Sequence, residues 1–263
     1  MNILVCIKQV PDTADVRINP ETNTLVREGV KSIINPFDMY AIEEAVRLKE
    51  KFNGKAVVLT MGPPQADAAL REAVSMGIDD AYLVSDRAFA GSDTLATSYT
   101  LASAIKKIGE FSIILCGKQA ADGDTAQVGP GISTHLDIPQ VTYVKKIEEI
   151  QNNVARVERM TEEGFEIVEC PLPCLFTVVK EINAPRLPSL KGIMRSKNIK
   201  INLMNAAMLD TEEDRLGLKG SPTQVVKIFS PERRKSGEIF NGPVEDSVEK
   251  LSHIVNKIIR GAA

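Results

Sequence analysis

Ser112-Ile-Ile-Leu-Cys116 and, a few residues on, Asp122-Gly-Asp-Thr-Ala-Gln-Val-Gly-Pro-Gly131 decide how this chain reads. The first is an apolar run of the length expected for a buried strand. The second is small, polar and glycine-rich, and a helix-like stretch carrying Ile132 and Leu136 follows it. Such a loop at the carboxyl end of a buried strand is where open α/β sheets hold nucleotides. Its glycines allow the backbone to approach a ligand, Thr125 and Gln127 offer side-chain hydrogen bonds, and amides opening the next helix favour negative charge. The same residues also fit a plain strand-to-helix turn capped by an aspartate.

Upstream, the first 140 residues alternate regularly. Apolar runs at 3–7, 56–61, 81–84 and 112–116 read as buried parallel strands, with helical periodicity between them. Asn35-Pro36 or Asp38 is expected to cap a helix whose apolar positions are Ala41, Ile42, Ala45, Val46 and Leu48, with Glu43, Glu44, Arg47 and Lys49 mostly on the wet side. Pro63-Pro64 opens a second helix that stops at Gly77, and Ser92 or Asp93 caps a third with Leu95, Tyr99, Ala102 and Ile105 buried. Strand, helix, strand, helix with short links predicts a doubly wound, mostly parallel α/β sheet with its ligand crevice at the strand ends. Loops at Lys8 to Asp15, Met61-Gly62-Pro63 and Asp86 to Thr97 should converge there. Thr94 and Thr97 share one helical face, from which hydroxyls can reach a phosphate; ordinary capping or solvent exposure explains them equally simply.

Beyond residue 140 the pattern changes. Val141–Ile147, Val154–Met160, Phe165–Glu169 and Leu175–Glu181 alternate and read as antiparallel hairpins, with Pro171 and Pro173 marking an edge or bulge. The loop 184–198 carries Leu187, Leu190, Ile193 and Met194, which either tuck onto the protein's own core or form a partner-binding patch. The stretch 205–242 is irregular and polar, with a solvated basic cluster Arg233-Arg234-Lys235, and Val244 to Ile259 is an amphipathic helix. The expected organisation is a nucleotide-binding domain over 1–183, the apolar loop with these two readings over 184–198 and an extension over 199–263.

Composition excludes several function classes. A net charge of −3 over 263 residues argues against nucleic acid as the main partner. No apolar run approaches 18 residues and no charged leader precedes Asn2–Ile7, so neither a membrane span nor a secretory signal is expected and the location reads as cytoplasmic. Cys6 and Cys116 read as small buried hydrophobes, and Cys170-Pro-Leu-Pro-Cys174 lacks the second ligand pair of a zinc site. His135 and His253 are isolated from any recognisable nucleophile. Chemistry, if any, must come from a cofactor.

Several ordered segments together resemble one family. Asn2-Ile-Leu-Val-Cys-Ile-Lys-Gln-Val10, Ile34-Asn-Pro-Phe-Asp38 followed by Ala41 to Glu50, Met61-Gly-Pro63, Cys116-Gly-Lys-Gln-Ala120 and Pro188 to Lys197 are similar to the beta subunit of electron-transfer flavoprotein, nearly end to end. The resemblance implies an adenine nucleotide alpha hydrolase-like fold and an obligate heterodimer with a flavin-carrying alpha subunit. It also implies one of two occupants of the crevice: a structural AMP, or a second FAD reduced by NADH that sends its electrons to two acceptors. Loops of the AMP branch are crowded with polar side chains after the second Asp. Gly123 to Pro130 here looks like the bifurcating branch, as do Val10-Pro-Asp-Thr13 and the Thr94, Thr97 pair.

By this resemblance the adenosine end contacts Cys6, the turn Asn35, Pro36, Phe37 and Asp38, Met61, and the backbone at Gln119 and Ala120. Phosphates meet Thr94, Thr97, Thr125 and the amides of Gln127 and Val128. Asp122 and Asp124 would repel a pyrophosphate and are assigned to helix capping or ribose hydroxyls. Leu190, with Ile193 and Met194, would dock on an acyl-CoA dehydrogenase, and ferredoxin or flavodoxin would take the second electron. No catalytic side chain and no metal is implied. Two other readings stand beside it: a subunit that holds AMP and only docks, and a nucleotide hydrolase or stress-type sensor, which the absence of a GxxxxGK[ST] motif disfavours.

Overall fold

The computed structural model describes residues 1–12, 17–18, 25–26, 32–226, 237 and 239–261. Thr13, Asp15 and the basic cluster Arg233-Arg234-Lys235 lie outside the described residues. The chain divides into two units, Met1–Ile228 and Phe229–Ala263.

The first unit is built on strands β1 (Asn2–Cys6), β2 (Gln9–Pro11), β3 (Arg17–Ile18), β4 (Leu25–Val26) and β5 (Ser32–Ile34), then helix α1 (Pro36–Phe52), β6 (Lys55–Met61), α2 (Asp67–Met76), β7 (Asp80–Val84), α3 (Thr94–Ile108), β8 (Ile113–Gly117) and α4 (Val128–Leu136). There follow β9 (Gln140–Gln151), β10 (Val154–Met160), β11 (Phe165–Pro171), β12 (Cys174–Val178), α5 (Leu190–Asn198) and β13 (Asn202–Met204). Nine strands form one sheet in the order β11-β10-β9-β12-β8-β1-β6-β7-β13. All pairings from β9 through β12 to β13 are parallel, whereas β9, β10 and β11 pair antiparallel.

The order explains where a ligand belongs. From β1 the chain moves outward through β6 to β7, then returns to lay β8 on the other side of β1, so the winding reverses between β1 and β8. Crossovers on opposite faces leave a crevice at such a point. One face of the sheet packs Ile3, Val5 and Val58 against Ala41, Ile42, Leu70 and Val74 of α1 and α2. The other packs Leu4, Leu59 and Ile114 against Leu101, Ile105 and Ile132 of α3 and α4. Being covered on both faces is what makes these strands apolar without alternation.

Pro171 marks an edge, as expected, ending the outermost strand β11, and Pro173 lies in the link to β12. Two expectations are corrected. Leu175–Glu181 is no hairpin: β12 lies parallel between β8 and β9, its five residues Cys174–Val178 all buried. Glu43 and Glu44 are not on a wet face but buried, covered by the link after β12. There the Arg186 guanidinium and amide reach Glu43 (Nε to Oε2 2.9 Å), Arg186 also meets Glu50 (2.6 Å), and Asn183 donates to Glu44 (3.0 Å). Those contacts hold Glu43 below its ordinary range although burial opposes them.

The segment 184–198 is only partly a loop. Ser189 caps α5 by accepting the Gly192 amide at 3.0 Å, and Gly192 presses so close to α2 that a Cβ there would fall 2.0 Å from the Ser75 carbonyl oxygen. Arg71 reaches the carbonyl of Ser196 (2.7 Å) and Arg195 that of Ile78 (3.0 Å), fixing the helix from both sides. Leu187, Leu190 and Met194 are nonetheless left outward, at 87 %, 83 % and 65 % exposure, so they do not tuck into the chain's own core. In the second unit, α6 (Val244–Ile259) carries Val248, Leu251, Val255, Ile258 and Ile259 exposed. Among the described residues no helix is long and apolar enough to cross a membrane.

Candidate functional site

Near the ends of β1 and β8, Cys6 stands in register opposite Cys116, both buried beneath the crevice. The Cys6 contact and burial push the Cys116 thiol up, which keeps it a neutral thiol and no nucleophile. Above them the chain exits at Lys8 and Lys118.

The turn before α1 knits these exits together. Asp38 accepts the Lys8 amide at 2.7 Å on one oxygen, and on the other the Asn35 side-chain amide at 3.0 Å and the Gly117 amide at 3.2 Å. Asn35 in turn donates to the Gln119 carbonyl (2.8 Å) and accepts the Ala121 amide (2.9 Å). Neither side chain caps α1, contrary to expectation: their oxygens serve the neighbouring loops. Gly117 is required because a Cβ there would lie 2.3 Å from Asp38 Oδ1 and 2.7 Å from the Phe37 carbonyl carbon. Burial pushes Asp38 up to about 7 against the Lys8 amide, Asn35 and the Gly117 amide, all of which favour its carboxylate. Phe37 faces the ammonium of Lys118, which also lies 5.2 Å from the Tyr143 ring centroid. Met61 closes β6 half-buried, and Pro36 opens α1 exposed.

The loop Gln119 to Gln127 arches over the end of β8. Asp124 and Ala126 adopt left-handed φ values of 53° and 54°, and the Asp124 amide returns to the Ala120 carbonyl at 2.8 Å. Asp122 pairs with Lys8 at 2.6 Å, and Gln119 donates to Asp124. Both carboxylates are thereby engaged, and neither caps α4. The N-cap of α4 is Gln127, with no side-chain cap; its first-turn amides have no intrahelical acceptor. Gln127 Oε1 instead accepts the Thr94 hydroxyl at 2.9 Å, which joins α3 to α4 at the crevice. Thr97 is half-buried on α3 and Thr125 is exposed in the loop. Among the described residues neither hydroxyl has a hydrogen-bond partner.

The glycines of the quoted loop divide their duties. A Cβ at Gly123 would meet nothing within 4 Å, so that residue keeps the crevice open. Gly129 and Gly131 serve packing: a Cβ would fall 2.7 Å from Thr177 Cγ2 at the first and 2.6 Å from Ser98 Oγ at the second. They let α4 sit close on β12 and α3.

Asp93 plays a part that sequence reasoning saw only by half. One of its oxygens caps α3, accepting the amides of Leu95 (2.9 Å) and Ala96 (3.1 Å). The other accepts the Thr223 amide (3.1 Å) and hydroxyl (2.8 Å) from a segment 130 residues away. Lys8 with Asp122, and Lys118 over Phe37 and Tyr143, were likewise hidden, because their partners are far apart in sequence.

The predicted residues thus fall into one neighbourhood of the sheet, at the exits of β1, β6 and β8 and the starts of α1, α3 and α4. Leu190, Ile193 and Met194 are apart from it, on α5. This arrangement offers an anion at the α4 amino end a site with its own carboxylates turned aside, and a nucleoside the exits of β1 and β8.

Comparison with known proteins agrees. The profile of the Electron transfer flavoprotein domain matches residues 22–209. The chain is 54 % identical over 257 residues to the electron transfer flavoprotein subunit beta of Thermoanaerobacterium thermosaccharolyticum, covering 97 % of this chain and 98 % of that one. It is 49 % identical over 258 residues to the same subunit of Clostridium acetobutylicum, covering 98 % of each. It is also 49 % identical over 249 residues to the caffeyl-CoA reductase-Etf complex subunit CarD of Acetobacterium woodii, covering 94 % and 95 %. Full-length identity of this order, on the fold and crevice described, places the chain in the electron-transfer flavoprotein beta-subunit family, which carries with it an alpha-subunit partner.

Proposed function

We propose that this beta subunit holds FAD at the switch point between β1 and β8 and works in a flavin-based electron-bifurcating complex. The observation that carries the reading is the uncapped amino end of α4, joined to Thr94 through Gln127 and flanked by a loop whose two carboxylates are engaged elsewhere. The amides of Gln127 and Val128 and the hydroxyls of Thr97 and Thr125 bind the phosphates, and Thr94 joins them by turning its hydroxyl from Gln127 to the ligand. Cys6, the turn Asn35 to Asp38, Met61 and the backbone of Gln119 and Ala120 border the adenosine. When bound there, FAD supplies hydride acceptance from NADH and onward electron transfer to the alpha-subunit FAD and acyl-CoA dehydrogenase, and to ferredoxin or flavodoxin. The side chains orient and neutralise, and none acts as an acid or base. A relative named as a subunit of a caffeyl-CoA reductase-Etf complex supports a partner acting on CoA esters. Leu190, Ile193 and Met194 are the face offered to that partner, with 184–198 as the recognition segment and 199–263 as the extension that docks on the alpha subunit.

A second reading, a structural AMP in the same crevice, draws on a specific feature. The α3 end is closed by Asp93, which leaves α4 as the one open helix end between Thr94 and Thr125, enough for a single phosphate. Denaturing the purified heterodimer and identifying what is released decides between them. Two FAD per heterodimer, with rapid bleaching of flavin by NADH in stopped flow, is expected. One flavin with stoichiometric AMP overturns the bifurcating reading in favour of the second.

A further inference from the structure

The side chains of Asn35 and Asp38 lie at the adenosine end of the crevice, yet their polar atoms are turned to the chain's own loops. Together they bind the exit of β1 at Lys8, the end of β8 at Gly117, and the loop beyond it at Gln119 and Ala121. We infer that Asn35 and Asp38 form a proton-operated clasp: ionised Asp38 holds the exit loops of β1 and β8 at the spacing the nucleotide needs, and protonation lets them part. The link to nucleotide rests on the function proposed above; the clasp itself does not.

All three hydrogen bonds of the Asp38 carboxylate among the described residues come from donors: two backbone amides and the Asn35 side-chain amide. A protonated carboxyl needs an acceptor for its own O–H, and its weakened oxygens accept less well. Asn35 cannot turn its oxygen towards that proton without releasing both Gln119 and Ala121. No side chain can be inserted to compensate, because Gly117 already leaves no room for a Cβ beside Asp38 Oδ1. A proton therefore displaces at least one loop amide.

The surroundings bring this equilibrium near neutrality. Asp38 is 5 % exposed, and its burial, outweighing the three donors, pushes its carboxyl up to about 7. The titratable groups around it are Lys8 from the β1 exit, whose ammonium lies 2.6 Å from Asp122, Lys118 from the β8 exit, lying over Phe37, and the thiols of Cys6 and Cys116. On its own helix, Glu43 and Glu44 are engaged by Arg186 and Asn183.

The linkage has a defined sign. A carboxylate whose folded value is raised above its ordinary 3.8 costs the fold stability as pH rises through about 7, while the clasp closes over that same interval. Its ionised form, which burial penalises, is the form that accepts from Lys8, Asn35 and Gly117. Asp38 is accordingly a positioning residue, tolerated in its charged form for what it holds.

The test is residue-resolved hydrogen exchange on the alpha–beta heterodimer at pH 6, 7 and 8, corrected for intrinsic rates, with parallel titrations of nucleotide-stripped heterodimer by FAD and by AMP. Protection of the Lys8 and Gly117 amides should fall about tenfold from pH 8 to pH 6, the limit for a single proton on a group near 7. Affinity for whichever nucleotide binds should fall in step. In Asp38→Asn both profiles should be flat and low, and in Asn35→Ala the Ala121 amide should lose protection at every pH. Wild-type protection that does not change with pH, or an Asp38→Asn profile that keeps the wild-type slope, overturns the clasp. If protection follows pH but neither nucleotide binds, the clasp stands and the nucleotide reading falls; if a nucleotide binds with no pH response, the reverse holds.

Discussion

Two helices begin side by side at this crevice and begin differently. At α3 the carboxylate of Asp93 lies on the amides of Leu95 and Ala96, so the helix supplies its own anion. At α4 the N-cap is a neutral glutamine whose oxygen is turned to Thr94, and the amide end is left without a side-chain cap. Macrodipole and orphan donors are common to both. One end is closed by its own side chain and the other is open, and the proposed function puts the ligand at the open one. The difference teaches that the start of a helix predicts an anion site only after its cap has been accounted for.

The sharpest way to break the contrast is to make α4 resemble α3. Gln127→Asp places a carboxylate on the α4 amides and beside any bound phosphate. Two charges about 4 Å apart at an effective dielectric of about 20 interact by about 4 kcal/mol. Nucleotide affinity should fall at least about a hundredfold while the melting temperature holds or rises. Unchanged retention of nucleotide, measured by chromatography after denaturation, would place the anion elsewhere.

A smaller effect is expected from Thr94→Ala combined with Thr97→Ala, which leaves the Asp93 cap of α3 and the open end of α4 as they are but removes the hydroxyls between them. Loss of hydrogen bonds to a charged group is worth about 1.5–3 kcal/mol, so affinity should drop about tenfold to a hundredfold, with NADH reduction of this flavin lost in proportion. Retention equal to wild type would restrict the contacts to α4.

Leu190→Ala supplies the contrast with a surface remote from both ends. Burying a leucine on docking is worth about 1.5–3 kcal/mol, the upper limit here because α5 already stands preformed. Partner reduction should slow by about one to two orders of magnitude with flavin content unchanged. Equal loss of flavin would refute a docking role.

The mildest change should be Asp93→Ala. Removing an N-cap costs about 0.5–2 kcal/mol, a melting shift of a few degrees, while nucleotide affinity stays or improves. Although burial works against it, the Ala96 amide, the Thr223 hydroxyl and amide, and the Leu95 amide hold Asp93 below its ordinary 3.8. Its stabilisation is therefore present above about that pH and is lost as pH falls through the lower folded value. Wild type and variant should converge in acid denaturation. A gap that persists or widens in acid would contradict the assignment.

What the sequence made legible is local. Apolar runs without alternation located β1, β6, β7 and β8, because both faces of those strands are covered, and Asp93 was readable as a cap from its position alone. Residues whose surroundings arrive from far along the chain were misread. Glu43 and Glu44 carry the spacing of a wet helical face, and only Arg186 and Asn183, some 140 positions later, bury them. β12 has the length and composition of a hairpin strand, and nothing within it announces that it will be inserted beside β8. The packing need for Gly129 and Gly131 was equally hidden, because Thr177 and Ser98, which leave no room for a Cβ, lie on other elements. Leu190 opens a helix that Pro188 and Gly192 disguise as a loop, since the glycine is needed for contact with Ser75.

The insertion of β12 also orders events during synthesis. β8 is complete at residue 117, but its outer neighbour is not β9, which emerges next; it is β12, which ends at residue 178. Until then one edge of β8 stays open, and β9 can reach it only by a wrong pairing. Non-local parallel pairing of this kind is slow and leaves an adhesive edge while it waits. The crevice depends on that edge being closed, for the Lys118 amide donates to the Val178 carbonyl. A nascent chain paused before residue 178 would thus present a sheet already able to aggregate and not yet able to bind, which makes this interval the one in which a chaperone would matter most.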